Sequence, residues 1–206
     1  MTNKTITMSR ELAPKLVCGI GLNDVGRVGQ YENGKRIGKC PFYARWNHML
    51  NRCYGKIYQV DRPSYQGCTV CSEWLTFSNF KAWMAAQDWQ GKDLDKDILS
   101  PGNRIYSPDH CAFVDKSVNS FVLDGGRVAA GSLVGASWHA KTGKFRAYCW
   151  DVTSKKRKAI GAYDTAEESH SAWRAFKAEQ AKVLAAQQPD HRIAAALIKR
   201  FSNHAA

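Results

Sequence analysis

Apolar residues recur at helical spacing in two stretches of the first half of the chain. Pro41 is placed to open a helix, and Phe42, Trp46, Met49/Leu50 and Cys53 follow on one face. Trp74, Phe77, Phe80 and Met84 form a second stripe over about Ser72–Gln87. Large aromatic residues on one stripe of a helix are core residues in the first instance. Between these helices, 55–70 reads as a loop carrying Pro63 and Gly67. Residues 1–40 are Gly-rich and weakly patterned, with at most a short hairpin within Cys18–Val28.

The pattern changes after residue 93. Segment 94–123 reads as a short strand, a polar turn, a second strand near Cys111–Val114 and a helix from about Asp115. Residues 124–131, DGGRVAAG, have linker composition. Alternation then predicts strands at about 133–139, 144–152 and 156–163, joined by Lys141–Gly143 and Thr153–Lys155. Thr165-Ala-Glu-Glu168 fits a capping box for a helix whose packing stripe is Trp173, Phe176 and Val183/Leu184. Pro189 ends it, and a last helix over 190–202 carries Ile193, Leu197 and Phe201. The expected fold is α+β in four parts: a domain over 1–123, a linker at 124–131, a three-stranded antiparallel sheet with one packed helix over 132–187, and a C-terminal helix within 188–206.

Charge adds a partner to this picture. The 206 residues hold 30 Lys+Arg and 18 Asp+Glu, a net charge of +12. Residues 1–125 hold 16 basic and 12 acidic side chains (+4), and residues 126–206 hold 14 and 6 (+8). A basic excess concentrated on one module points to a polyanion. Within the module, Lys144, Arg146, Tyr148 and Trp150 alternate onto one face of the middle strand, and Phe145, Ala147 and Cys149 onto the other. The apolar set is expected to pack on the helix. The cationic and aromatic set is expected to face double-stranded DNA, with Lys155–Lys158 as a phosphate clamp. In the competing reading, Tyr148 and Trp150 pack against the N-terminal domain. No run approaches the roughly 20 apolar residues that cross a bilayer, and the N-terminus lacks the apolar segment of a signal peptide. A soluble, unexported protein without a membrane partner is expected. Its seven cysteines read as reduced thiols or metal ligands rather than disulfides.

Two resemblances sharpen the expectations. The runs Gly135-Ala-Ser-Trp-His-Ala-Lys-Thr-Gly-Lys-Phe-Arg-Ala, Ala159-Ile-Gly-Ala-Tyr-Asp-Thr-Ala-Glu-Glu and Ala172-Trp-Arg-Ala resemble the DNA-binding domain of plant ethylene-response (Apetala-type) factors, also found in phage and homing-endonuclease proteins. That family lays a three-stranded sheet into the major groove. By position, the resemblance implies DNA contacts from Trp138, Lys144, Arg146 and Trp150, with Lys156 and Lys158 on backbone.

The motifs Cys40-Pro-Phe-Tyr, Trp46-Asn-His-Met-Leu-Asn-Arg-Cys-Tyr54, Val70-Cys-Ser-Glu-Trp74, Leu94-Asp-Lys-Asp-Ile98 and Gly102-Asn-Arg-Ile-Tyr-Ser-Pro-Asp-His-Cys111 resemble phage and prophage proteins described as HNH-endonuclease-like. This implies a phage-encoded protein in the cytoplasm of a bacterial host, with a degenerate HNH-like (ββα-metal) N-terminal domain. An HNH site pairs an aspartate with a histidine base and uses a helix Asn or His beside one divalent cation. Here the pair is Asp95-Lys96. A lysine near its ordinary pKa is a poor base at neutral pH and reads instead as a phosphate contact.

Three readings stay open. The scaffold binds DNA without cutting; or Asp95, Asp97, His110 and Asn119 hold Mg²⁺ or Mn²⁺ and nick or cleave DNA; or the basic face covers an acidic host protein. Cys40, Cys53, Cys71 and Cys111 each sit in one of the motifs and form a candidate structural zinc set, against buried free thiols as the alternative.

Overall fold

A computed structural model describes residues 15–123 and 132–202. The expected linker at 124–131 lies outside the described residues, as do 1–14 and 203–206. In chain order the elements are β1 (Gly29–Glu32), β2 (Lys35–Lys39), α1 (Pro41–Tyr54), α2 (Lys56–Asp61), β3 (Thr69–Val70), α3 (Phe77–Ala85), β4 (Asp93–Asp95), β5 (Ile105–Tyr106), β6 (Ala112–Val114), α4 (Lys116–Val122), β7 (Ser137–His139), β8 (Lys144–Asp151), β9 (Lys156–Tyr163), α5 (Ala166–Ala186) and α6 (His191–Ser202). The protein is mixed α+β with small sheets, one of them three-stranded and antiparallel. No helix among the described residues is long and apolar enough to cross a membrane. The chain forms two compact units, one of Met1–Gln87 with Arg104–Ser107 and one of Asp88–Asn103 with Pro108–Ala206.

The first unit is built on an aromatic core. Trp46, Met49 and Leu50 of α1 are fully buried with Trp74 and with Phe77, Phe80 and Met84 of α3. The Trp46 indole donates to the Trp74 carbonyl at 2.7 Å, so the one polar group of that ring is satisfied inside the core. The helix expected over Ser72–Gln87 is divided into a 3₁₀ turn at Ser72–Leu75 and α3. Backbone pairing from elsewhere divides it. The Leu22 amide donates to the Leu75 carbonyl at 2.8 Å, and the Phe77 amide donates to the Leu22 carbonyl at 2.9 Å. Thr76 is thereby held extended (φ −97°, ψ 125°). The expected loop at 55–70 contains α2 and a 3₁₀ turn at Pro63–Tyr65. Its end, β3, pairs in parallel with β5. Arg52 then reaches Tyr106 on β5, donating to its hydroxyl at 3.3 Å.

The second unit joins segments that the sequence reading assigns to different domains. β4 and β6 pair antiparallel, and α4 follows. Val114, Val118, Phe121 and Val122 from this segment share one core with Ala181 and Leu184 of α5 and with Ile193, Leu197 and Phe201 of α6. The expected 1–123 domain is therefore divided, because the apolar faces of β6 and α4 are buried by the C-terminal helices. Lys177 stitches this core: its ammonium donates to the Phe121 carbonyl at 2.8 Å and lies 3.9 Å from the Phe121 ring centre.

The capping box forms as expected. The Glu168 amide donates to Thr165 Oγ1 and the Thr165 amide to Glu168 Oε2, both at 3.2 Å. β8 and β9 also match the alternation, but the strand expected at 133–139 shrinks to Ser137–His139. Gly135 explains the loss. Its φ of +78° turns the chain, and Ser169 and His170 of α5 bond the Gly135 and Val134 carbonyls at 3.2 and 2.6 Å.

Candidate nucleic-acid interface

Residues directly opposite one another in a sheet share a face, so the register of β7, β8 and β9 decides which side chains act together. Phe145, Ala147 and Cys149 turn toward α5, where Ala147 and Cys149 are buried with Trp173, and Phe176 packs beside them. The opposite, outer face carries Lys144, Arg146, Tyr148 and Trp150, as the alternation predicts. β7 places Ser137 opposite Arg146, and β9 places Ala162, Ala159 and Arg157 opposite Arg146, Tyr148 and Trp150. The alanines leave the larger side chains standing clear.

Arg157 enters the sequence reading only as part of the Lys155–Lys158 clamp and not as a member of the outer face. Its guanidinium lies 4.3 Å from the centre of the Tyr148 ring, a cation–π stack on the outer face. A signal for it exists in the sequence: the short connection between β8 and β9 sets Asp151 opposite Lys156, and Trp150 is then opposite Arg157. Trp150 is 54% exposed. Lys144 shares its charge with Asp164 at 3.0 Å, a surface pair of small energetic weight.

The same register places three predicted contacts on the other face. Trp138 lies opposite Phe145, with ring centres 4.9 Å apart. Lys158 lies opposite Cys149, and its ammonium sits 5.1 Å from the Phe176 ring. Lys156 lies opposite Asp151. All three remain solvent-accessible, but on the helix side or its rim.

Lys96 is also not where a phosphate contact requires it. It is buried, and its ammonium donates to both Asp97 carboxylate oxygens at 2.7 and 2.8 Å and to the Asn103 carbonyl at 2.7 Å. The Asn103 side chain returns a bond to the Lys96 carbonyl at 3.0 Å. The lysine thus closes a loop. Asp95 is equally committed, since its Oδ1 accepts the amides of Asp97 and Ile98, each at 2.7 Å. Burial pushes the Asp95 carboxyl above its ordinary pKa, and these two amides pull the other way.

Among the described residues, no three or more His, Cys, Asp or Glu side chains are gathered to hold a metal ion. Asp95, Asp97 and His110 therefore do not form a ligand set, and Asn119 lies half-buried on α4. Cys40, Cys53, Cys71 and Cys111 likewise do not come together as zinc ligands: Cys53 and Cys111 are buried and Cys40 and Cys71 half-buried, and none is in a disulfide.

The Asp95 geometry makes a simple prediction. Asp95→Asn keeps the Oδ1 acceptor and is expected to change stability by less than about 1 kcal/mol, whereas Asp95→Ala strands two amides and costs about 1–3 kcal/mol. Urea melts of the two variants measure the difference.

No protein-family model, curated protein or solved structure matches the chain.

Proposed function

We propose that the protein binds double-stranded DNA through the outer face of the β7–β9 sheet and does not cut it. The observation that carries this reading is one continuous surface of Arg146, Arg157, Tyr148 and Trp150, with Lys144 and Lys155 at its ends. Guanidinium groups neutralise phosphates or read guanine, and exposed aromatic rings pack on sugars and thymine methyls. Exposed Trp beside cations on a well-backed sheet is otherwise a poor surface for a soluble protein. The resemblance of 135–175 to the ethylene-response-factor type of domain supports the same use of the sheet.

The β4–β6–α4 order supports reading 88–123 as an HNH-type scaffold. Its chemistry is argued against by the side chains: Asp95 Oδ1 closes a turn on the Asp97 and Ile98 amides, and Asp97 is paired with Lys96. Supercoiled plasmid incubated with Mg²⁺ or Mn²⁺ is expected to stay intact, and nicking that disappears in Asp95→Ala would show the catalytic reading to be correct.

Binding itself is tested by fluorescence anisotropy with a labelled duplex. Arg146→Ala combined with Trp150→Ala removes one charge-assisted contact and one packing surface. A loss of roughly 10- to 100-fold in affinity is expected. Unchanged affinity in the folded double variant means that another surface reads the DNA.

A further inference from the structure

Beside the outer face of the sheet lies a cleft of about 1240 Å³ lined by described residues of the second unit. One wall is α4, contributing Lys116, Ser117 and Ser120; the other is the face of Arg146, Tyr148, Trp150 and Arg157. Trp173 and Lys177 of α5 also line it. Its cations are Lys116, Arg146, Lys155, Arg157 and Lys177, and none of the described lining residues is acidic. Lys177 is held in place by the Phe121 carbonyl at 2.8 Å, which fixes a positive charge at the wall.

The shape matters as much as the charge. A paired duplex is a stiff rod with its bases hidden; it can lie along the sheet face at the mouth of the cleft but cannot enter it. A concave site little larger than the roughly 300–1,000 Å³ of ordinary ligand clefts accepts something smaller and flexible. Cations at the walls, the exposed Trp150 ring and hydroxyls from Ser117 and Ser120 match the requirements of unpaired nucleotides: phosphate neutralisation, base stacking and edge hydrogen bonds.

We infer that the cleft receives unpaired nucleotides, so that the protein prefers DNA carrying a short unpaired segment beside a duplex over fully paired DNA. This rests on the proposal that the sheet face contacts the duplex. Such segments already lack the pairing that must otherwise be broken to expose a base. The cleft then adds stacking to the contacts of the sheet.

The test compares two labelled DNAs bound to the full chain: a paired duplex and the same duplex with a three-nucleotide bulge containing 2-aminopurine. The bulged DNA is expected to bind roughly tenfold more tightly or better, with the 2-aminopurine fluorescence quenched on binding. Ser120→Trp, on the exposed side of α4, fills the cleft; it is expected to abolish the preference and leave paired-duplex affinity within about twofold. Ser117→Trp serves the same purpose if that protein does not fold. Equal, tight binding of both DNAs with unquenched 2-aminopurine overturns the cleft assignment and leaves the duplex reading standing. A preference that survives in a folded cleft-filled variant also overturns it. If neither DNA binds, the duplex reading falls and the inference falls with it.

Discussion

Gly135→Ala is expected to unfold the sheet-bearing unit under conditions that leave the wild-type protein folded. Gly135 has a φ of +78°, where a side chain is strained. It also lies close against α5, so that an added Cβ would fall 2.6 Å from Trp173 Cδ1 and overlap the Cγ and Cβ of the same side chain. Trp173 cannot withdraw cheaply, because it is the buried centre of the small core that joins Ala147 and Cys149 to the helix. Backbone strain of about 1–3 kcal/mol and overpacking of similar size together suggest a loss of about 3–5 kcal/mol. Gly143→Ala separates the two contributions. Gly143 also has a positive φ, 62°, but an added Cβ meets nothing within 4 Å. It should cost only the strain. Urea melts give the ordering, and hydrogen exchange localises it: β8 amides are expected to lose protection in Gly135→Ala while α1 amides keep theirs.

The features legible in the sequence were local ones. α1, α5 and α6, the Thr165–Glu168 capping box and the strands β8 and β9 follow from periodicity and caps that lie within each segment. The hairpin of β1 and β2 was also legible and was overlooked. Asn33-Gly34 supplies two consecutive positive-φ residues, at 49° and 75°, as a tight hairpin turn requires. Other features depended on distant parts of the chain. Nothing within Ser72–Gln87 announces that Leu22 will pair across Leu75–Phe77 and divide the helix. Nothing within 88–123 states that its apolar face will be covered by α5 and α6 rather than by α1 and α3.

The candidate site shows the same division. Alternation along one strand correctly grouped Lys144, Arg146, Tyr148 and Trp150. Extending that group to β7 and β9 required register, and there Trp138, Lys156 and Lys158 exchanged places with Arg157. For 94–123, the sequence identifies Lys96 as an anomaly at an expected histidine, but only the fold shows its ammonium turned inward onto Asp97 and the Asn103 carbonyl.

The salt dependence of binding separates phosphate recognition from surface lysines kept for solubility. If Lys144, Arg146, Lys155 and Arg157 each neutralise one phosphate, log K should fall with log salt at a slope of about −3.6. Arg146→Glu with Arg157→Glu removes two of these contacts and adds two repulsive charges beside the DNA. The slope should then drop to about −1.8 or shallower, with affinity reduced more than about 100-fold at low salt. Both residues are on the outer face, away from the Ala147–Cys149–Trp173 core, so melting behaviour is expected to stay near wild type. A steep slope retained by the double reversal would move the phosphate contacts to another part of the basic C-terminal half. A shallow slope already present in the wild type, with weak binding to every duplex tried, would instead favour an acidic protein as the partner of this face, because its fixed carboxylates release no condensed counterion atmosphere of the kind that surrounds DNA.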